Sequence, residues 1–263
     1  MKILAIIGTP TRQAGFTTQT VDVLANSIRE KSDAEIEYLY LEDVPLSRCQ
    51  GHLTCVKFGE QQCPVGSDME PLLRTMRAAD GVIFASPVHC FNVSTLMKNF
   101  IDLLVYQMHR PEFFGKKAVV VTSAAGAGQK GVLKYLRKTA SIWGFDVVGQ
   151  FGTHAGLFKA ENYQPKLQRA ADKVAGNFVS AIRQNKWPEP GVAELINFRV
   201  WRSVVRRSED ASPYDWAHWQ KAGWLEQDYY YPAKPGLVAN GLAGLVEKMI
   251  ERAIRTAGVT PLT

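Results

Sequence analysis

The stretch ILAIIGTPTRQAGFTT, residues 3–18, decides the fold. Its apolar run ends at Gly8, crosses a polar loop and resumes as a helix-forming pattern. Strand, loop and helix in that order direct backbone N–H groups and a helix N-terminus at one point, which suits an anion. The loop adds hydroxyls from Thr9, Thr11, Thr17 and Thr18 and a cation from Arg12. A phosphate monoester offers the acceptor oxygens and negative charge that such a set would hold. The loop has neither the Lys-Ser/Thr ending of a nucleoside-triphosphate loop nor the three spaced glycines of a dinucleotide fold. A mononucleotide is therefore the first candidate ligand, set against the plainer reading of an ordinary strand-to-helix turn.

Working outward, strand-like apolar runs recur at 3–8, 35–41, 81–86, 117–123 and 145–152. Helical patterns lie between and after them, at 17–30, 69–79, 93–106, 129–143 and 164–184. Alternation of this kind predicts an α/β fold, a doubly wound five-stranded parallel sheet with helices on both faces. Ligands of such sheets sit beyond the carboxyl ends of the strands, near the first and third. The informative loops are then those after Gly8, Ser86 and Ser123.

The loop after the third strand opens SPVHCFNVSTLMKNFIDLL, residues 86–104. Pro87 stiffens the turn, and polar and aromatic groups gather before a helix led by Ser94. A flat heteroaromatic ring needs that mixture, apolar atoms for its faces and backbone groups for its nitrogens and carbonyls. The fourth strand ends in TSAAGAGQKG, residues 122–131, whose Gly126, Gly128 and Gly131 let a backbone approach closely. Three ligand-compatible loops on one sheet edge favour a binding site over three generic turns.

Composition bounds the rest. The 263 residues are 46% hydrophobic and 21% charged, with a net charge of +6, which describes an ordinary water-soluble chain with ample core. The densest cationic stretch, Arg199 to Arg207, reads as one face of a helix rather than a nucleic-acid stripe. No run reaches membrane-spanning length and no signal peptide precedes the first strand, so a cytoplasmic protein is expected. Beyond a break at WPEP, from Trp187, helical patterns at 192–207 and 237–255 flank an aromatic-rich stretch. The boundaries expected are therefore a sheet domain over 1–186 and a helical extension over 187–263. The apolar stripe Val238, Leu242, Leu245, Val246, Met249, Ile250 and Ile254 is expected to pack on the core or on a partner subunit.

Cys49, His52, Cys55 and Cys63 form C-x2-H-x2-C-x7-C. In a reducing compartment these are thiols or ligands. Three readings stay open: a loop without metal, an iron–sulfur site, and tetrahedral zinc, which accepts both thiolate and imidazole.

Taken together, GTPTRQAGFTT, SPVHCFNVSTLMKNFIDLL, TSAAGAGQKG and the strand from Gly144 to Gly149 resemble the NADPH-dependent FMN reductase family, in its iron–sulfur-flavoprotein-like branch. The likeness covers residues 3 to about 185, and the run DWAHWQKAGWLEQDYYYP, 215–232, is similar to tails found in that branch. It implies a flavodoxin-like sheet of order 2-1-3-4-5 and an oxidoreductase using FMN, with NAD(P)H as co-substrate. A quinone, flavin, nitro or azo compound or metal ion would be the small-molecule acceptor. Carried over residue by residue, Thr9 or Thr11, Arg12, Thr17 and Thr18 would hold the FMN phosphate. Pro87, Val88, His89, Cys90, Phe91 and Asn92 would line the isoalloxazine, and Ser123, Ala124, Ala125, Gly126 and Gly128 would flank its other side.

Departures from the family pattern are Phe16 where asparagine is usual, His89 where tyrosine is common, and Cys90 where an aromatic often sits. His89 is a candidate donor to flavin or substrate, and no conventional acid–base dyad is expected. The branch carries a four-cysteine 4Fe-4S motif in the position of Cys49, Cys55 and Cys63, with His52 standing for the second cysteine. The resemblance further implies a homodimer or homotetramer. The alternative reading is a non-enzymatic electron-transfer flavoprotein serving a redox protein partner, against which a basic pI near 9.1 weighs mildly.

Overall fold

The computed structural model describes residues 1–158 and 160–257. It contains one five-stranded parallel sheet in the order β2-β1-β3-β4-β5. The strands are β1 Lys2–Ile7, β2 Glu35–Tyr40, β3 Gly81–Pro87, β4 Lys117–Ala124 and β5 Asp146–His154. The helices of this part are α1 Phe16–Lys31, α3 Glu70–Ala78, α4 Thr95–Leu103, α5 Gln129–Ile142 and α6 Gln164–Gln184. The described residues include four further helices: α2 Thr54–Lys57, α7 Val192–Val205, α8 Pro213–Lys221 and α9 Leu237–Ala257. The sheet is the flavodoxin-like one expected from the alternation of apolar runs.

Inner strands β1, β3 and β4 are nearly all buried because helices cover both faces of the sheet. On one face Ile3, Ala5 and Ile7 of β1, with Ile83 and Ala85 of β3, meet Val21, Leu24 and Ile28 of α1 and Ala171, Ala175 and Phe178 of α6. Alternate residues point the other way. There Phe84 meets Phe100, Trp143 and Phe145 at ring-centroid distances of 6.5, 5.9 and 5.4 Å. Phe113 stacks on Phe145 at 4.6 Å. Edge strand β2 differs, since its Glu35 and Glu37 are exposed. His109, just beyond α4, is buried, and loss of hydration together with the neighbouring Arg110 cation pushes its imidazole down to about 4.

By compactness the chain divides into two units, Met1–Gly51 with Asp68–Trp187, and His52–Ser67 with the chain from Pro188 onward. The second unit therefore combines α2 with the C-terminal helices, a grouping that no single linear boundary expresses. Within it Ser212 Oγ donates to the Val56 carbonyl at 3.3 Å, and Tyr214 Oη donates to Gln61 Oε1 at 3.2 Å. Its core stacks Phe198 on Trp219 at 5.6 Å and sets Trp219 edge-on to Trp224 at 5.4 Å. Burial raises the phenols of Tyr229 and Tyr230 above their ordinary values.

The cationic stretch of α7 is not a solvated face throughout. Arg199 and Arg202 are buried, and Arg202 grips the Glu247 carboxylate of α9 through three N–H···O bonds of 2.7–3.0 Å. Of the apolar stripe on α9, Val246, Ile250 and Ile254 are half-buried, whereas Val238, Leu242, Leu245 and Met249 are exposed.

Candidate functional site

The three loops singled out by sequence leave the carboxyl ends of β1, β3 and β4, which are neighbours in the sheet. Their bases are tied together by small hydroxyl side chains. Ser94 caps α4, accepting from the Met97 N–H at 3.2 Å, and its own hydroxyl donates to the Gly8 carbonyl at 2.5 Å. The Ser94 N–H donates to Ser86 Oγ at 3.0 Å, and Thr122 Oγ1 donates to the Ser86 carbonyl at 2.7 Å. A Cβ at Gly8 would lie 2.8 Å from that of Met97, so only glycine lets β1 end this close to α4. Thr17 of α1 and Ser123 of β4 join their hydroxyls at 2.8 Å, both buried.

The first loop holds the expected phosphate ligands together. Thr9 and Thr11, the two candidates for one role, share a hydrogen bond of 2.9 Å between their hydroxyls. Thr18 Oγ1 donates to the Arg12 carbonyl at 2.6 Å, so its hydroxyl proton is engaged within the loop. The N-cap of α1 is Gly15, which offers no side-chain acceptor to the first N–H groups. Those donors lie at the positive end of a 16-residue helix dipole, a setting that favours negative charge. Arg12 has a left-handed backbone (φ 46°), and its guanidinium is ion-paired with Asp43. Sequence gave no warning of Asp43, which lies 31 residues away.

In the second loop Pro87 and Val88 are half-buried, while His89, Cys90, Phe91 and Asn92 are exposed. The Val88 N–H donates to the Ser123 carbonyl at 2.8 Å, which joins the second loop to the third. His89 and Asn92 pair through their backbones across a two-residue turn. Ser123 and Ala124 are buried, and Ala125 and Gly126 are exposed. Gly128 has φ 102°, and a Cβ there would lie 2.7 Å from Val88 Cγ1. At Gly126 a Cβ would meet nothing within 4 Å, so the loop leaves open space there.

The arrangement thus supplies an uncapped helix start beside small hydroxyl side chains, and next to it two loops that carry apolar atoms and close-packed glycines. That donor set fits a phosphorylated planar cofactor such as FMN. Every expected residue of the three loops lies on this one edge.

The cysteine motif is placed differently. Cys49 belongs to the first unit, where its N–H donates to Asn99 Oδ1 at 3.0 Å. In the second unit Cys55 is buried in α2, and Cys63 closes a short helical turn with its N–H on the Glu60 carbonyl at 3.1 Å. His52 is exposed. Among the described residues no three His, Cys, Asp or Glu side chains gather in a group that could hold a metal ion.

Comparison with known proteins follows the same outline. An iron-sulfur flavoprotein from Archaeoglobus fulgidus is 29% identical over 229 residues, covering 86% of this chain and all of that protein. The FMN-dependent NADH:quinone oxidoreductase of Escherichia coli is 30% identical over 125 residues, covering 43% of this chain and 62% of the other. Among solved structures, an FMN-dependent NADH-azoreductase from Bacillus anthracis in complex with FMN superposes with a TM-score of 0.52 at 17% identity. It covers 71% of this chain and 100% of that one, a likeness of fold. Residues 1–156, the stretch holding β1 to β5 and all three loops, match the NADPH-dependent FMN reductase family, and the chain belongs to that family.

Proposed function

We propose that the protein is an FMN-dependent NAD(P)H oxidoreductase that reduces a small acceptor. The observation that carries this reading is the convergence of an uncapped α1 terminus and two open loops on the carboxyl edge of β1, β3 and β4. The Phe16, Thr17 and Thr18 N–H groups, the Thr9 and Thr11 hydroxyls and Arg12 would hold the phosphate. Residues 87–92 and 123–128 would flank the ring, with His89 within its loop as a proton or hydrogen-bond donor. When bound, FMN supplies the redox chemistry, accepting hydride from reduced nicotinamide and passing electrons to the acceptor. The chain's own work is to orient, to exclude water from the ring faces and to admit the two substrates in turn.

All four cysteines are free thiols, which suits a reducing compartment such as the cytoplasm. The exposed Leu242, Leu245 and Met249 support assembly as a homodimer or homotetramer. No described helix is long and apolar enough to cross a membrane. We read residues 1–186 as the flavin-binding part and the remainder as a helical extension.

The test is to add FMN to the purified protein and follow NADPH and NADH oxidation with a quinone. Flavin uptake with turnover supports the reading, and no uptake overturns it. A second reading, an electron-transfer flavoprotein, is favoured by the likeness to the Archaeoglobus protein. Stoichiometric iron and sulfide after anaerobic purification, with no direct nicotinamide oxidation, would select it.

A further inference from the structure

At the tip of the loop between β3 and α4, Cys90 and Phe91 both lie in the left-handed region, with φ of 47° and 63°. His89 and Asn92 close this turn, each donating its N–H to the other's carbonyl, at 2.8 and 2.9 Å. Turns with two positive central φ values favour Asn and Gly, because a Cβ crowds the backbone there. Phe91 is neither, and its ring gains little from packing, since the residue is 73% exposed. A bulky apolar side chain held in water on a strained turn points to a role outside the fold's own stability.

Its surroundings indicate which. The Phe91 backbone and ring edge back onto the third loop, 3.3 and 3.4 Å from where a Cβ on Gly128 would stand. Next along that loop, the space around Gly126 is open. The ring stands where the two loops assigned to the flavin meet, at their solvent side. Nearby Cys90 and Asn92 are exposed as well, so the aromatic face is reachable by a molecule arriving from solution.

We propose that Phe91 sets acceptor selectivity, stacking its exposed ring on a planar aromatic acceptor of the quinone class and so favouring it over compact inorganic acceptors. This rests on the flavin reading above. Aromatic rings prefer offset or edge-on partners, and removing one such partner weakens binding about 3- to 10-fold.

The experiment uses the FMN-loaded protein with NADPH or NADH as reductant and either 1,4-naphthoquinone or ferricyanide as acceptor, with rates expressed per bound flavin. The quantity read is the ratio of kcat/KM for the quinone to that for ferricyanide. Phe91→Gly suits the backbone, so the variant should fold, and it should lower the ratio about 3- to 10-fold through the quinone KM. Phe91→Asn, a second ring-free variant that tolerates this φ, should do the same, and Phe91→Tyr should keep the wild-type ratio. An unchanged ratio in Phe91→Gly and Phe91→Asn overturns the proposal, as does an equal fall in Phe91→Tyr. Failure of the wild type to take up FMN overturns the flavin reading and this one with it. Uptake of FMN with an unmoved ratio overturns this one alone.

Discussion

The Arg12 guanidinium, the cation closest in sequence to the start of α1, is held by the carboxylate of Asp43. Both side chains are about half exposed, so the pair is screened by solvent and contributes little to stability. On the proposed reading, it sets the charge that Arg12 offers to the FMN phosphate. Asp43→Asn should release the guanidinium and tighten FMN about 2- to 5-fold at low salt, with the gain shrinking at high salt. Arg12→Ala should weaken FMN up to about 10-fold. Quenching of flavin fluorescence on titration measures both, and equal affinities in the two variants would remove Arg12 from the phosphate site.

The buried Thr17–Ser123 bond links α1 to β4 directly. Thr17→Val leaves the Ser123 hydroxyl without this partner and should cost about 1–2 kcal/mol in urea unfolding. Adding Ser123→Ala removes the stranded group, so the double variant should lose less than the sum of the single ones.

Two glycines of the third loop make opposite predictions. Gly128→Ala meets Val88 and a φ of 102°, and should destabilise the protein by about 1–3 kcal/mol with or without flavin. Gly126→Ala meets no protein atom and should leave the thermal midpoint without flavin within about 2 °C of the wild type. If a ring occupies that open space, the added methyl should weaken FMN severalfold. Calorimetry of unfolding and of binding on both variants separates steric need within the loop from steric need of the ligand.

His109 gives the pH dependence a sign. Its folded value near 4 lies below the ordinary 6.5, because burial disfavours the cation. A depressed value means that stability is fully present above pH 6.5 and declines as pH falls toward 4, by up to about 3 kcal/mol. His109→Gln should flatten the stability profile between pH 6.5 and 4 relative to the wild type. Parallel profiles for the two proteins would assign the acid sensitivity elsewhere.

In the second unit, Glu247→Gln removes the nearer of the two carboxylates beside the buried Arg202 cation, leaving Asp228 at 3.8 Å, and should cost about 1–3 kcal/mol. Replacing both partners, Arg202→Met with Glu247→Leu, should recover most of that loss. The fluorescence of Trp219 and Trp224, which sit in the core of this unit, reports its unfolding.

Much of this architecture was legible because its signals are local. Apolar runs mark strands buried on both faces, and α6 spans 164–184 as its periodicity predicts. The three site loops follow from strand ends alone, since a parallel sheet puts every carboxyl end on one edge. What was not legible depends on distance or on unfavourable chemistry. Arg12 and Asp43 meet across 31 positions. Residues 52–67 join a unit whose remainder begins at Pro188. Helix α2 is four residues long, too short to show a helical period. The turn at Cys90 and Phe91 lacks the Asn or Gly that announces such geometry, and an exposed Phe there reads from sequence as a cofactor-lining residue.

The hydroxyl bonds that bind the site together lie at the loop bases, on Ser86, Ser94, Thr122 and the Thr17–Ser123 pair. The tips, Cys90–Phe91 and Ala125–Gly126, face solvent. Substitutions at Cys90 and Phe91 therefore leave the anchoring bonds intact, and on the proposed reading an evolving lineage can vary the acceptor there without touching the bonds that shape the loop bases.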